Sequence, residues 1–159
     1  MIRNNVTRML DQRKIEYTLY ELPKEKLGAL KTAELLNIDP KIVFKTIVVV
    51  RTSPGKPILA VIPGPKEVNL KALAKIAGEK KLKIPTMREA ERLTKLQAGG
   101  ISPLALLNRG FVVYIDSAAR LYEKIHVSGG QRGLNIRLRT EDLASITGAR
   151  FAEIAAPHQ

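Results

Sequence analysis

From Val43 to Val50 every residue is apolar except Lys45 and Thr46, and most are β-branched. Side chains of that shape suit a pleated surface, so the run predicts a strand. Ser53-Pro54-Gly55 breaks it, and Ile58 to Ile62 returns as an antiparallel partner. The chain therefore contains a sheet, and the rest of the sequence has to be arranged around it.

Val6, Met9 and Leu10 recur at helical spacing among Arg3, Arg8, Arg13 and Lys14, predicting a surface helix over residues 3–14. Tyr17 to Glu21 reads as a short strand, and Ala33, Leu35 and Leu36 carry a second helix that stops near Asn37 to Pro40. Asn69 caps a helix through Ala77 that Gly78 closes, and Thr86 with Glu89 is a capping-box pattern for another through Leu93. Strands are expected at Phe111 to Ile115, Lys124 to Val127 and Asn135 to Leu138. A last helix runs from Thr140, its cap, to Thr147, with Gly148 ending it. Short strands mixed with helices, without a regular βαβ rhythm, predict an α+β fold around a curved mixed sheet. With 159 residues and no internal repeat, linker or low-complexity tract, one domain over 1–159 is expected.

The chain has no cysteine, which excludes disulfides, thiolate metal sites and a cysteine nucleophile. There are two histidines, His126 and His158, so a mechanism built on several imidazoles is excluded too. No acidic or histidine triplet has ligand spacing, and neither a metal nor a cofactor is expected. The start of the chain lacks a secretory pattern and no apolar run approaches membrane-spanning length, so a cytoplasmic protein without a membrane partner is expected.

Lys and Arg number 27 against 15 Asp and Glu, a net charge of +12. Such an excess points toward a phosphate-rich partner, and it is also compatible with an ordinary solvated surface. Residues 66–95 hold nine Lys or Arg against four Glu, in alternation with apolar residues and without the aromatic interleaving of stacked bases.

Lys45 interrupts the apolar strand, either as a strand-edge lysine with its head in water or as an ammonium turned into a site. Two glycine-rich loops, Gly99-Gly100 with Ser102-Pro103 and Ser128-Gly129-Gly130 with Gly133, could be simple turns or could aim backbone N–H groups at an anion. Neither is a P-loop, since Leu134 follows Gly133. Asp116 at a strand end reads as a turn or ion-pair residue, His126 in an apolar stretch as a structural histidine, and Tyr20 as a cross-strand aromatic.

Phe44-Lys45-Thr46, the GGISP run from Gly99 to Pro103 and the VSGGQRGL run from Val127 to Leu134 together resemble the bacterial YbaK/EbsC family. That family is similar to the editing insertion domain of bacterial prolyl-tRNA synthetase. The resemblance implies a small mixed β-barrel or curved sheet flanked by helices, and a free-standing editing protein that deacylates mischarged aminoacyl-tRNA. In the subgroup it most resembles, the substrate is cysteinyl-tRNA(Pro), and a transient complex with prolyl-tRNA synthetase supplies the choice of tRNA. Lys45 then matches the essential lysine, with Gly100, Ser128 and Gly129 supplying backbone donors to the carbonyl or oxyanion. Tyr20, Thr46, Gly99, Ser102, Gly130 and Asn135 fall where such proteins bind substrate. Asn135 stands where the family commonly has Asp. An aminoacyl ester is already activated, so either water or the substrate's own thiol could attack it without a protein nucleophile. Two other readings stay open, a family member tuned to alanine, serine or a broader set, and a tRNA-binding module without turnover. The tRNA body would be held by charge, with the lysines between Lys66 and Lys95 as candidates.

Overall fold

The computed structural model describes residues 3–158. Asn4 starts helix α1 (Asn5–Gln12): its side-chain oxygen accepts the Thr7 amide while its own amide donates to the Thr7 hydroxyl. Strand β1 (Tyr17–Glu21) follows, then α2 (Ala29–Leu36), ended by Asn37 in the left-handed region at φ 55°. Strands β2 (Phe44–Arg51) and β3 (Ile58–Pro63) form the expected antiparallel hairpin, with Lys45 opposite Ile62 and Val48 opposite Leu59. The chain continues through β4 (Lys66–Val68), α3 (Leu70–Ala77), β5 (Leu82–Lys83) and α4 (Met87–Thr94). It ends with β6 (Val112–Asp116), β7 (Lys124–Ser128), β8 (Leu134–Arg139), α5 (Thr140–Thr147), β9 (Arg150–Ala152) and β10 (Ala155–Pro157).

Five strands lie in the order β5-β2-β3-β6-β9, parallel from β3 through β9 and antiparallel elsewhere. Three more form the antiparallel sheet β1-β8-β7, and β10 pairs with β4. A bridge between Val43 and His126 joins the two larger sheets. Beyond it the described strands do not close, so the fold is the curved mixed sheet with flanking helices and not a barrel.

β3 shows why the hairpin is apolar on both faces. Leu59 and Val61 enter a core with Phe44, Ile125, Ile136 and Leu143, while Ile58, Ala60 and Ile62 enter a second with Val49, Leu73 and Ile154. Each fully buried Ile or Leu contributes about 1.5–3 kcal/mol, so this strand is pinned from both sides. In the three-stranded sheet Ile125, Val127, Ile136 and Leu138 face the first core. Alternation places Tyr20, His126, Ser128, Asn135 and Arg137 on the opposite, polar face.

Thr140 is not the cap of α5. Arg139 stands at that position without a side-chain bond, and the Thr140 hydroxyl donates instead to the Tyr122 carbonyl at 2.8 Å, a tertiary partner that outcompetes the local one. Among the described residues no helix is long and apolar enough to cross a membrane.

Candidate active site

Pairing between the β2 and β7 edges stops after the Val43–His126 bridge, and a cavity of about 250 Å³ occupies the open seam. Val43 to Thr46 supply one wall, Ser128 and Asn135 another, and Gly99 with Ile101 a third. Leu22 and residues 26–29 pass over it as a strap, and Met87 at the start of α4 stands at its rim. The polar lining is Lys26, Thr32, Lys45, Thr46, Ser128 and Asn135; the lining contains no carboxylate, imidazole or thiol.

Lys45 is half-buried, and its Nζ donates to the Gly64 carbonyl at 3.0 Å. Burial pushes its pKa below the ordinary lysine value, while the Glu67 carboxylate opposes that shift. An ammonium that has already lost part of its hydration interacts strongly with an anion brought beside it. Gly64 lets the turn carrying that carbonyl come close: a Cβ there would lie 2.7 Å from the Ala29 side chain and 3.0 Å from the Val43 carbonyl oxygen. Sequence reasoning passed over Gly64, because a close approach between distant segments leaves no local pattern.

The two glycine loops do meet at the cavity, though chiefly by packing backbone against backbone. A Cβ on Gly100 would lie 2.8 Å from the Gln131 Cα, and one on Gly99 3.1 Å from the Lys26 Cα. Gly133, at φ 86°, would meet the Leu22 carbonyl oxygen at 2.8 Å, and its own carbonyl accepts the Leu22 amide at 2.7 Å. The Arg132 Nε donates to the Ala98 carbonyl at 2.6 Å and locks one loop to the other. These glycines make room for the strap.

Two of the three expected backbone donors, Gly100 and Gly129, are therefore engaged inside the fold, as is the neighbouring Gly130. Gly100 donates to the Gln97 carbonyl at 2.8 Å, Gly129 to the Leu134 carbonyl at 2.9 Å, and Gly130 to the Ser128 Oγ at 3.2 Å. Strand alternation turns the Ser128 N–H the other way from that of Gly129, away from β8 and toward the seam. Gly130 packs against Val6 and Ala105 instead of the cavity, and buried Ser102 uses its Oγ to accept the Leu104 amide at 3.1 Å. Of the expected residues the structure thus gathers Lys45, Thr46, Gly99, Ser128 and Asn135 on the wall, and it leaves Gly100, Gly129, Gly130, Ser102 and Tyr20 outside it. Lys26, Thr32 and Met87 are lining residues that the sequence did not single out.

Behind the wall, Asn135 Oδ1 lies 2.8 Å from Nδ1 of His126, which is 2% exposed, and the Tyr20 ring sits 5.5 Å from the imidazole. Asn135 thus lines the cavity while its side-chain oxygen is engaged with His126. Burial pushes the His126 pKa below its ordinary value, with the Asn135 hydrogen bond opposing that shift. This is the structural role the sequence suggested. Asp116 is structural as well: its Oδ1 accepts the Ile154 and Ala155 amides, both at 3.0 Å, and its Oδ2 accepts the Ala118 amide at 3.1 Å.

Comparison with known proteins gives this arrangement a context. The aminoacyl-tRNA editing domain matches residues 25–146, which carry all of the cavity wall except Leu22. A relative from Enterococcus faecalis, EbsC, named as a candidate Cys-tRNA(Pro)/Cys-tRNA(Cys) deacylase, is 39% identical over 154 residues, covering 96% of this chain and 93% of its own. The chain belongs to the aminoacyl-tRNA editing family. Two solved structures share the fold: a hypothetical protein at 24% identity and TM-score 0.87, and a candidate trans-editing enzyme for prolyl-tRNA synthetase at 22% and 0.80. The first covers 96% of this chain and 100% of its own, the second 98% and 99%. Within that family the cavity presents a cation, hydroxyls and an amide, without a carboxylate, imidazole or thiol in its lining.

Proposed function

We propose that the protein is a free-standing deacylase that clears cysteine from tRNA(Pro), with Lys45 as its principal catalytic group. The observation that carries this reading is the half-buried Lys45 ammonium, held at 3.0 Å by the Gly64 carbonyl in a wall without acid, imidazole or thiol. The name of the 39% identical relative supports the choice of cysteine. Lys45 neutralises charge growing on the ribose 3′ oxygen as the ester breaks, and the Ser128 N–H and the Asn135 NH2 steady the carbonyl oxygen. The substrate's own thiol sulfur attacks the ester carbonyl carbon: the S–C bond forms, the C–O bond to the ribose breaks, and the thiol proton ends on the released 3′ oxygen. Positioning of a substrate that carries its own nucleophile replaces a protein base. Prolyl-tRNA synthetase is the proposed source of tRNA selection.

Asn135 favours a second reading within the same activity, release of another small amino acid, because a compact cavity discriminates weakly between side chains of similar size. A deacylation time course on cysteinyl-tRNA(Pro), beside alanyl-, seryl- and prolyl-tRNA and with or without the synthetase, separates the two. Lys45→Ala should lower turnover at least about a hundredfold and change stability by no more than about 1 kcal/mol in urea. A folded Lys45→Ala protein with parental turnover would remove Lys45 from the mechanism. Parental protein that releases no amino acid from any of the four would leave only the binding-module reading.

A further inference from the structure

Helix α4 begins at the rim of the cavity with Met87 and ends at a second hollow, of about 320 Å³, lined by Lys56, Leu93, Lys95, Arg109 and Phe111. Its three cations come from separate parts of the chain: the β2–β3 turn, the end of α4 and the turn before β6. All three are exposed, and no carboxylate lines the hollow. Among the described residues none of them forms an ion pair, whereas Arg3, Lys31, Arg51, Arg92, Lys124 and Arg139 each do.

The Lys56 side chain is also placed by its neighbours. The Lys56 Nζ stands 5.5 Å from the centre of the Phe111 ring, and its stem is close to Gly110, where a Cβ would meet the Lys56 Cγ at 3.2 Å. Lys95 is in the left-handed region at φ 62°, a conformation that costs a non-glycine residue about 1 kcal/mol or more. Three like charges gathered without a counter-charge repel one another, and an anion bound between them relieves that repulsion.

We propose that Lys56, Lys95 and Arg109, around Phe111, form a second subsite that binds the phosphodiester backbone of the RNA whose 3′ end occupies the cavity. This rests on the aminoacyl-tRNA reading above and locates where the RNA leaves the site. Eight residue steps from Met87 to Lys95 span about 12 Å along the helix. At roughly 3.4 Å per stacked nucleotide, that is the length of three to four nucleotides. On α4 itself Arg88 and Arg92 share one side at i and i+4, Arg92 paired with Glu89, and Lys95 follows at the C-cap beside the hollow. The subsite is thus spaced to take phosphates just behind the single-stranded 3′ end of a tRNA. Of the lysines between Lys66 and Lys95 that composition alone puts forward, this arrangement selects Lys95 and adds Lys56 and Arg109 from outside that stretch.

The test compares the parent with Lys56→Gln/Lys95→Gln/Arg109→Gln and with a control that loses the same charge in and just after the first helix, Arg8→Gln/Arg13→Gln/Lys14→Gln. Affinity for uncharged tRNA is measured by fluorescence anisotropy between 50 and 300 mM salt, and turnover on an aminoacyl-adenosine ester that lacks the RNA body is measured in parallel. The hollow variant should flatten the slope of log affinity against log salt by about 2, from three lost contacts at about 0.7 each. It should bind tRNA about tenfold more weakly at low salt and turn over the short ester like the parent, while the control keeps the parental slope to within about half a unit. Equal slopes for the hollow variant and the parent, or equal flattening in the control, overturn the proposal. A parallel loss on the short ester overturns it as well, since the substitutions would then act through the cavity. Failure of the parent to deacylate while it still binds tRNA with the steeper slope would count against the deacylase reading alone.

Discussion

Burial is the largest influence on the His126 imidazole and lowers its pKa; the Asn135 hydrogen bond opposes that shift and the Arg137 charge adds to it. The unfolded chain therefore binds more protons at this site than the fold does, in the window from about 6.5 downward. Stability associated with neutral His126 is present above that value and is lost as pH falls through the window. Asn135→Asp would put a carboxylate where the amide oxygen lies 2.8 Å from Nδ1. We expect the His126 pKa to rise and the acid-side loss of stability to shrink, as read by ring-proton NMR titration and by urea midpoints at pH 5 and 7.5. An unmoved titration would show that the Asn135 contact does not govern the ring. The place of Lys45 and Asn135 on the cavity wall was legible at this scale, one as a charge in an apolar strand and the other as the residue that follows the VSGGQRGL run. The engagement of the Gly100 and Gly129 N–H groups was not, because their acceptors are fixed by how the loops fold back on themselves.

The elements found in the sequence are those with strong local signals. The β2–β3 hairpin followed from β-branched runs around Ser53-Pro54-Gly55, and the Asn69 and Gly78 ends of α3 from capping chemistry. Strands β4, β5, β9 and β10 have two or three residues each, too few for an alternation to be visible, and they exist through pairing with distant partners. The turn after β3 belongs to the same class of hidden feature. Gly64→Ala would press a methyl against Ala29 and the Val43 carbonyl, costing about 1–3 kcal/mol. Because the strained turn also carries the Gly64 carbonyl that holds the Lys45 ammonium, kcat should fall about tenfold or more while KM changes less. Parental kcat in a folded Gly64→Ala protein would show that this carbonyl does not position Lys45.

Across the whole molecule, Asp116 at the end of β6 fastens the C-terminal strands to the sheet through the Ile154 and Ala155 amides. Asp116→Ala leaves three backbone donors without their carboxylate and should destabilise the protein by about 3 kcal/mol. Urea unfolding would report the lower midpoint, and hydrogen exchange would quicken first at Ile154 and Ala155. An unchanged midpoint would mean that β4–β10 pairing holds the C-terminal segment unaided. The α+β class and the open curved sheet were legible from the mixture of elements, but the seam between the two larger sheets was not, since it is defined by where pairing stops. The wall of that seam has a further consequence for chemistry in a stressed cell. With no cysteine in the chain and Met87 the only sulfur in the lining, alkylating agents find no thiol to block. Peroxide would meet there a thioether at the rim instead of a thiol, so oxidation would give a methionine sulfoxide beside the cavity and no disulfide or sulfenic acid within it.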